Sequence, residues 1–248
     1  MTGNLFADLT YESMKVRALD PNLAPCEKVG FPRHYREGRE ELIFADILSK
    51  LTNLNEKGKV YLEIGPGCSE LAMGTLAFCS EKEHQVTLFD SAEMLSQLPD
   101  YSGVDKLSGM LPHDSQKLGA LIGKVDALLM YSVFQMIEEQ GGAEAVLQLC
   151  LDLLAPGGRF LIGDLPNQDK RRRFFSSPRG IEYHRQYRGD DSFPPAELVA
   201  ETGNGIGDKY VFKLLTKVRG LGYEAFILPQ MDCLPFSNRR EDILIVRP

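Results

Sequence analysis

From about residue 58 onward the chain alternates short β-rich apolar runs with stretches whose apolar residues recur at helical spacing. No other feature restricts the fold so strongly, because strands separated by helices pair in parallel and need helices over the faces of their sheet. The predicted strands span 59–64, 85–90, 104–108, 125–131, 159–163, 223–229 and 242–247. Seven strands over about 190 residues imply one sheet, and so a single domain over 1–248. Leu42, Ile43, Ile47, Leu48 and Leu51 form an apolar stripe that predicts a helix near 40–51. Val146, Leu149, Cys150, Leu153 and Leu154 predict another, stopped by Pro156-Gly157-Gly158. A third runs from a capping Asp208 to Arg219 and ends at Gly220 and Gly222. Residues 1–36 have no clear period.

Bulk composition narrows the class. The chain has 248 residues, is 43% hydrophobic and 25% charged, and carries a formal charge of −7. That length and apolar content suffice for a buried core and exclude disordered and disulfide-scaffold proteins. No apolar run approaches the ~20 residues a membrane helix needs. The start Met1-Thr2-Gly3-Asn4-Leu5-Phe6-Ala7-Asp8 has no basic stretch followed by an apolar core, so a cytoplasmic location is expected. Cys26, Cys68, Cys79, Cys150 and Cys233 are scattered and never spaced Cys-x-x-Cys. They predict reduced thiols, with neither a disulfide framework nor a metal site.

Two stretches break the alternation: an N-terminal arm over 1–57, with Phe31-Pro32-Arg33-His34-Tyr35-Arg36 inside it, and an insertion over 166–207. Segments of that length are usually lids or binding elements, and both are expected over the same end of the sheet. The insertion also concentrates charge. Seven basic residues lie between Lys170 and Arg188 against the single acid Glu182, a local balance of +6 that leaves −13 for the rest. An acidic mean argues against nucleic acid as partner, while the basic segment suits a local anion. Arginine forks match carboxylate and phosphate, so Arg171, Arg172 and Arg185 are the candidate substrate contacts, against the plainer reading of a solvated helix face.

The most specific local signal is Val60-Tyr61-Leu62-Glu63-Ile64-Gly65-Pro66-Gly67-Cys68-Ser69-Glu70, a strand ending in an acid, then Gly-x-Gly, then a helix start. Glycines at such a turn let backbone approach a ligand, and the helix beyond offers unpaired N–H groups. Asp90 follows 23 residues after Gly67, at the tip of the second predicted strand, where an acid can accept from a ribose diol. A nicotinamide dinucleotide site shares this geometry. Here Glu70 stands where its third glycine would be, and Glu63 directly precedes the turn, which favours another cofactor.

These residues resemble the class I S-adenosylmethionine-dependent methyltransferases. Glu63-Ile64-Gly65-Pro66-Gly67 is similar to the family's first motif, and Phe89-Asp90-Ser91-Ala92-Glu93-Met94-Leu95 to its ribose-binding motif. The segments 125–135 and 154–162 are similar to its fourth strand with following loop and to its fifth-strand entry. The resemblance covers about 59–163 and implies an α/β fold: a Rossmann-like seven-stranded sheet, six strands parallel and the last antiparallel beside the sixth, with helices on both faces. It implies S-adenosyl-L-methionine as cofactor. Gly65 and Gly67 would pass under its methionine part, Glu63 would orient the turn or the amino group, and Asp90 would bind the ribose. Ser91 and Met94 would flank adenine or ribose, and Tyr131 and Ser132 would lie near the sulfonium. Where the family often has Gly-Asp after the third strand, this chain has Gly109-Met110, so adenine would rest on Met110 or meet Asp114. The Phe-Pro-x-x-Tyr-Arg arm and Lys170-Arg171-Arg172-Arg173-Phe174-Phe175 also resemble bacterial members associated with surface-glycan or modified-sugar pathways.

Several candidates have two readings. Asp164, after the fifth strand, is a general base or substrate contact, or else a loop anchor. His34 and His184 lie in the covering segments and are candidate bases or simply solvated. Gln135 contacts cofactor or substrate, or starts a helix. Asp126, at the far end of its strand, reads as a cap. The expected function is methyl transfer to a small, anionic acceptor, a sugar, sugar nucleotide or related metabolite. The alternatives are an NAD(P)-dependent oxidoreductase and a catalytically inactive cofactor-binding or scaffold protein.

Overall fold

A computed structural model describes residues 9–200 and 205–248. Seven strands form one sheet: β1 (Val60–Ile64), β2 (Gln85–Asp90), β3 (Val104–Ser108), β4 (Val125–Tyr131), β5 (Leu154–Pro166), β6 (Glu224–Leu228) and β7 (Arg240–Val246). Their order is β3-β2-β1-β4-β5-β7-β6. The pairs among β1 to β5 are parallel, and β7 inserts antiparallel between β5 and β6. The expected six-plus-one sheet is therefore present.

The fifth strand differs from expectation. Leu154 already pairs with Val125, and the register then shifts so that Arg159 faces Ala127. The strand thus begins before the Pro-Gly-Gly turn, which sits inside it as an irregularity and does not stop the preceding helix.

The helices are α1 (Tyr11–Leu19), α2 (Pro25–Lys28), α3 (Arg33–Arg36), α4 (Glu40–Lys50), α5 (Glu70–Glu81), α6 (Ala92–Leu95), α7 (Phe134–Glu139), α8 (Ala143–Leu153), α9 (Gln168–Phe175), α10 (Pro178–Arg188), α11 (Ala196–Val199) and α12 (Asp208–Gly220). Side chains alternate across each strand, which splits the core in two. Leu128 and Met130 pack on one face with Val146 and Cys150 of α8 and Val211 and Leu214 of α12. Ala127 and Leu129 pack on the other with Ile43 and Ile47 of α4 and Leu76 of α5.

Three local features refine the expectations. The aperiodic N-terminal stretch contains α1 to α3, held by a Thr10–Ser13 capping box and by Arg17, which donates to the Glu27 carbonyl. Asp208 does not cap α12: Gly207 is the cap, and the Asp208 carboxylate accepts from Asn167 and Arg173. His84 lies in the loop before β2 and is buried there, accepting the Lys59 N–H at Nδ1 and reaching the Leu54 carbonyl through Nε2. Asp126 behaves as expected, capping β1 by accepting the Val60 N–H at 2.8 Å. No helix among the described residues is long and apolar enough to cross a membrane.

Candidate active site

β1 ends in a turn where Gly65 and Gly67 have φ of +70° and +64°. A Cβ on either would lie 2.5 Å from a valine, Val133 at Gly65 and Val29 at Gly67. Both left-handed backbone and close approach therefore require glycine. The turn opens onto a cavity of about 730 Å³ at the carboxyl ends of β1, β2 and β4, whose walls include Glu63, Gly65, Gly67, Asp90, Met94, Met110, Tyr131, Ser132 and Gln135. Ligands of open α/β sheets bind at such ends. The N-terminal arm supplies Tyr11, Met14, Phe31 and Arg36 to the same walls, none of which periodicity could indicate.

The acids in this cavity are held by short-range donors. Asp90 accepts the Gly67 N–H at 2.9 Å and the Ser91 N–H at 2.6 Å, so it also shapes the glycine turn. Burial nevertheless pushes its carboxyl up to about 6. Glu63 accepts from the Tyr61 hydroxyl at 2.8 Å, and burial raises it to about 7, with the Asp90 charge adding to the shift. Gln135 donates to the Ser132 carbonyl at 2.8 Å and leaves its own Oε1 buried without a partner.

Opposite the turn, Ser132 and Asp164 follow the ordered part of β4 and lie in β5. The Ser132 hydroxyl accepts from Arg36 at 3.0 Å and donates to Asp164 Oδ2 at 2.5 Å. Arg36 lies over the rings of Phe31 and Tyr131, 4.1 and 5.4 Å from their centroids. Gly163 makes room for the Tyr131 ring, since a Cβ there would come within 2.4 Å of it. Asp164 is buried and also receives Gln230 at 3.3 Å, with Arg240 at 3.4 Å in ion-pair range. Its backbone N–H donates to Asp242, which with Asp46 flanks the buried Lys50 ammonium at 2.6 and 2.5 Å.

A second cavity of about 340 Å³ lies against the insertion and shares Arg240 with the first. Its walls include Tyr35, Arg171, Phe175, Tyr183, His184, Tyr187 and Arg239. The arm meets the insertion here, where the Tyr35 and Tyr187 hydroxyls are 3.0 Å apart. His184 Nε2 is 3.3 Å from the Ser192 hydroxyl, whose hydrogen goes to Asp190.

Several expected residues do not reach the glycine cavity. Ser91 is buried as the cap of α6, accepting the Met94 N–H, because a serine hydroxyl at a helix start satisfies an otherwise orphaned donor. Asp164 and the two histidines are absent from its walls, and His34 lines neither cavity, lying 3.5 Å from the Tyr187 hydroxyl. Asp114 does not line it either: its carboxylate accepts the Met110 N–H at 3.0 Å, and this bond, with the Lys117 ion pair behind it, holds it below its ordinary value. Of the basic segment only Arg171 reaches the second cavity; Arg172 pairs with Asp169, and Arg185 lies over Phe193. Arg239 and Arg240, which do reach it, come from the approach to β7, some 70 residues further along the chain.

No protein-family model and no curated protein matches the chain. Among solved structures it is similar to the plantazolicin methyltransferase BpumL, in complex with a monoazolic desmethylPZN analog and SAH, at 14% identity and a TM-score of 0.57, covering 96% of this chain and 97% of that one. It is also similar to the plantazolicin methyltransferase BamL, at 14% identity and 0.56 with 96% of each chain covered. The methyltransferase domain of bacterial CtHen1 aligns at 14% identity and 0.54, over 84% of this chain and 97% of the domain. Sheet order, site position and these likenesses agree: the chain has the fold of the class I S-adenosylmethionine-dependent methyltransferases.

Proposed function

We propose that the protein is an S-adenosylmethionine-dependent methyltransferase acting on a small anionic acceptor, in first instance a hydroxyl or amine of a sugar, sugar nucleotide or related metabolite. The observation that carries this reading is the convergence of Gly65, Gly67, Glu63 and Asp90 on one cavity at the strand ends. The walls suit a cationic ligand. Two carboxyls raised by burial lack nearby positive charge, and the Gln135 oxygen lacks a donor. A sulfonium and an ammonium would stabilise the ionised acids, and an N–H or O–H would satisfy the amide. The antiparallel β7 departs from the all-parallel dinucleotide-binding order, which favours this reading over an oxidoreductase.

When bound, the cofactor supplies a methyl group on positively charged sulfur; its transfer to the acceptor leaves a neutral thioether. Asp90 accepts from the ribose hydroxyls while fixing the turn, and Met94 and Met110 bound the adenosine. Tyr131 and Ser132 set the floor where acceptor and methyl group align, and alignment is the main contribution expected of the protein. Asp164 positions Ser132, Arg36 and Arg240, since both its oxygens are engaged. A base is needed only for a poorly acidic acceptor. His184, on the wall of the second cavity, is the better candidate than His34.

Incubation of the purified chain with methyl-labelled S-adenosylmethionine and a fractionated metabolite pool tests the reading. Label should appear in an anionic small-molecule fraction. Cofactor binding without any transfer would instead favour the inactive scaffold.

A further inference from the structure

The second cavity has a composition that the methyl-transfer site does not explain. Among the described residues its walls carry three guanidinium groups, Arg171, Arg239 and Arg240, and no carboxylate side chain. Arg240 is partly compensated by Asp164. Among the described residues no acid pairs with Arg171 or Arg239, and Arg171 Nε is buried without any acceptor. Arg239 has no acid partner among the described residues: it donates to Asn238 at 3.2 Å, hydrogen-bonds Tyr183, sits beside the like-charged Arg240 and lies 4.5 Å over the Phe236 ring and 5.8 Å from Phe175. Burial lowers its guanidinium from the ordinary value, as expected of a desolvated cation without an anion. Concentrating desolvated cations together is costly, a penalty that ring faces offset only in part and an anion would offset further.

Much of the remaining wall is aromatic, beside Pro166, Asn167, Gln168 and Leu198. Tyr35, Phe175, Tyr183 and Tyr187 surround the arginines, with Tyr183 edge-on to both Phe174 and Phe175. Such a wall offers flat apolar contact to a ring and hydroxyls to its polar edge. A volume of about 340 Å³ suits a single small molecule or one end of a larger one.

We propose that this cavity binds the anionic, ring-bearing end of the acceptor, its carboxylate or phosphate held by Arg171, Arg239 and Arg240 and its aromatic ring packed among Tyr35, Tyr183 and Phe175. The shared wall residue Arg240 places that end next to the glycine cavity, so that the remainder of the molecule can extend toward Tyr131 and Ser132. The link to methyl transfer rests on the function proposed above; the binding site itself does not.

Calorimetric titration of the full chain with uridine 5′-monophosphate, 4-hydroxybenzoate, glucose 1-phosphate and inorganic phosphate tests the assignment. One of the two aromatic anions should bind saturably and at least about tenfold more tightly than glucose 1-phosphate and inorganic phosphate, which lack an aromatic ring, the margin expected from burying one. Binding of uridine monophosphate identifies a nucleotide source, and binding of the benzoate an aryl acid. Arg171→Gln and Arg239→Gln should each weaken that ligand about tenfold or more, with affinity for S-adenosylhomocysteine unchanged. Tyr183→Leu should narrow the preference for the ring. Absence of binding by both aromatic probes, equal binding of glucose 1-phosphate, or indifference to both arginine substitutions would overturn the proposal. If S-adenosylhomocysteine still binds in that event, the methyltransferase reading stands. Loss of its binding with ring-anion binding intact would remove that reading alone.

Discussion

Ser132 and Asp164 both hold left-handed backbone, with φ of +60° and +56°, and the Ser132 hydroxyl donates to Asp164 Oδ2 at 2.5 Å. Each such conformation costs a non-glycine residue about 1 kcal/mol, so the hydrogen bond and its ionic neighbours hold a strained pair of which Ser132 lines the cavity. Ser132→Ala keeps the strain and loses the bond, whereas Ser132→Gly loses both. The alanine variant should therefore be the less stable of the two by about 1 kcal/mol in urea denaturation. The reverse order would show that the backbone there is not strained.

Lys50 is the only ammonium between Asp46 and Asp242, with all three groups buried among the described residues. Removing one partner of a buried ionic cluster leaves uncompensated charge. Lys50→Met should destabilise the protein by about 3 kcal/mol or more, a shift in urea midpoint far outside that of a surface lysine. Because Asp242 also receives the Asp164 N–H, the cavity should loosen as well, read as weaker S-adenosylhomocysteine binding.

At the glycine turn, Gly65→Ala meets Val133 and Gly67→Ala meets Val29, each at 2.5 Å and each at positive φ. Both variants should lose at least about tenfold in cofactor affinity. Adding Val133→Ala to Gly65→Ala should recover only part of that loss, because the clash is relieved and the backbone strain is not. Full recovery would locate the whole effect in the side-chain contact.

Glu63 and Asp90 titrate at about 7 and about 6 in the folded chain, above their ordinary values of 4.5 and 3.8. Carboxyls raised on folding bind more protons in the native state, so their contribution to stability is present at low pH and is lost as pH rises through about 4 to 7. A cationic ligand reverses the preference, since it binds the ionised acids better. Affinity for S-adenosylmethionine should rise from pH 5.5 to 8 with release of protons, and Glu63→Gln should remove the upper part of that rise. A flat profile would mean that neither acid faces the ligand.

The sheet was legible because its strands announce themselves locally: Val60 to Ile64, Gln85 to Asp90 and Val125 to Tyr131 are apolar runs bounded by turns, and their pairing follows from the helices between them. The glycine turn was legible for the same reason, being contiguous. What could not be read depends on residues far apart in the chain. Lys50 meets Asp242 across 192 positions, and Arg36 meets Ser132 across 96. Arg239 and Arg240 replace Arg172 and Arg185 on the wall of the second cavity because charge density along the sequence does not reveal which cations find an acid nearby. Ser91 and Asp208 were misread through competition between local roles, since a serine or aspartate near a helix start can cap, bind a ligand or pair with a cation.

The central claim is tested most directly by titrating the purified chain with S-adenosylhomocysteine and, separately, with NADH. The predicted result is saturable binding of S-adenosylhomocysteine at a single site, loss of that binding in Asp90→Ala, and no binding of NADH. Binding of NADH in its place, or S-adenosylhomocysteine affinity indifferent to Asp90→Ala, would contradict it.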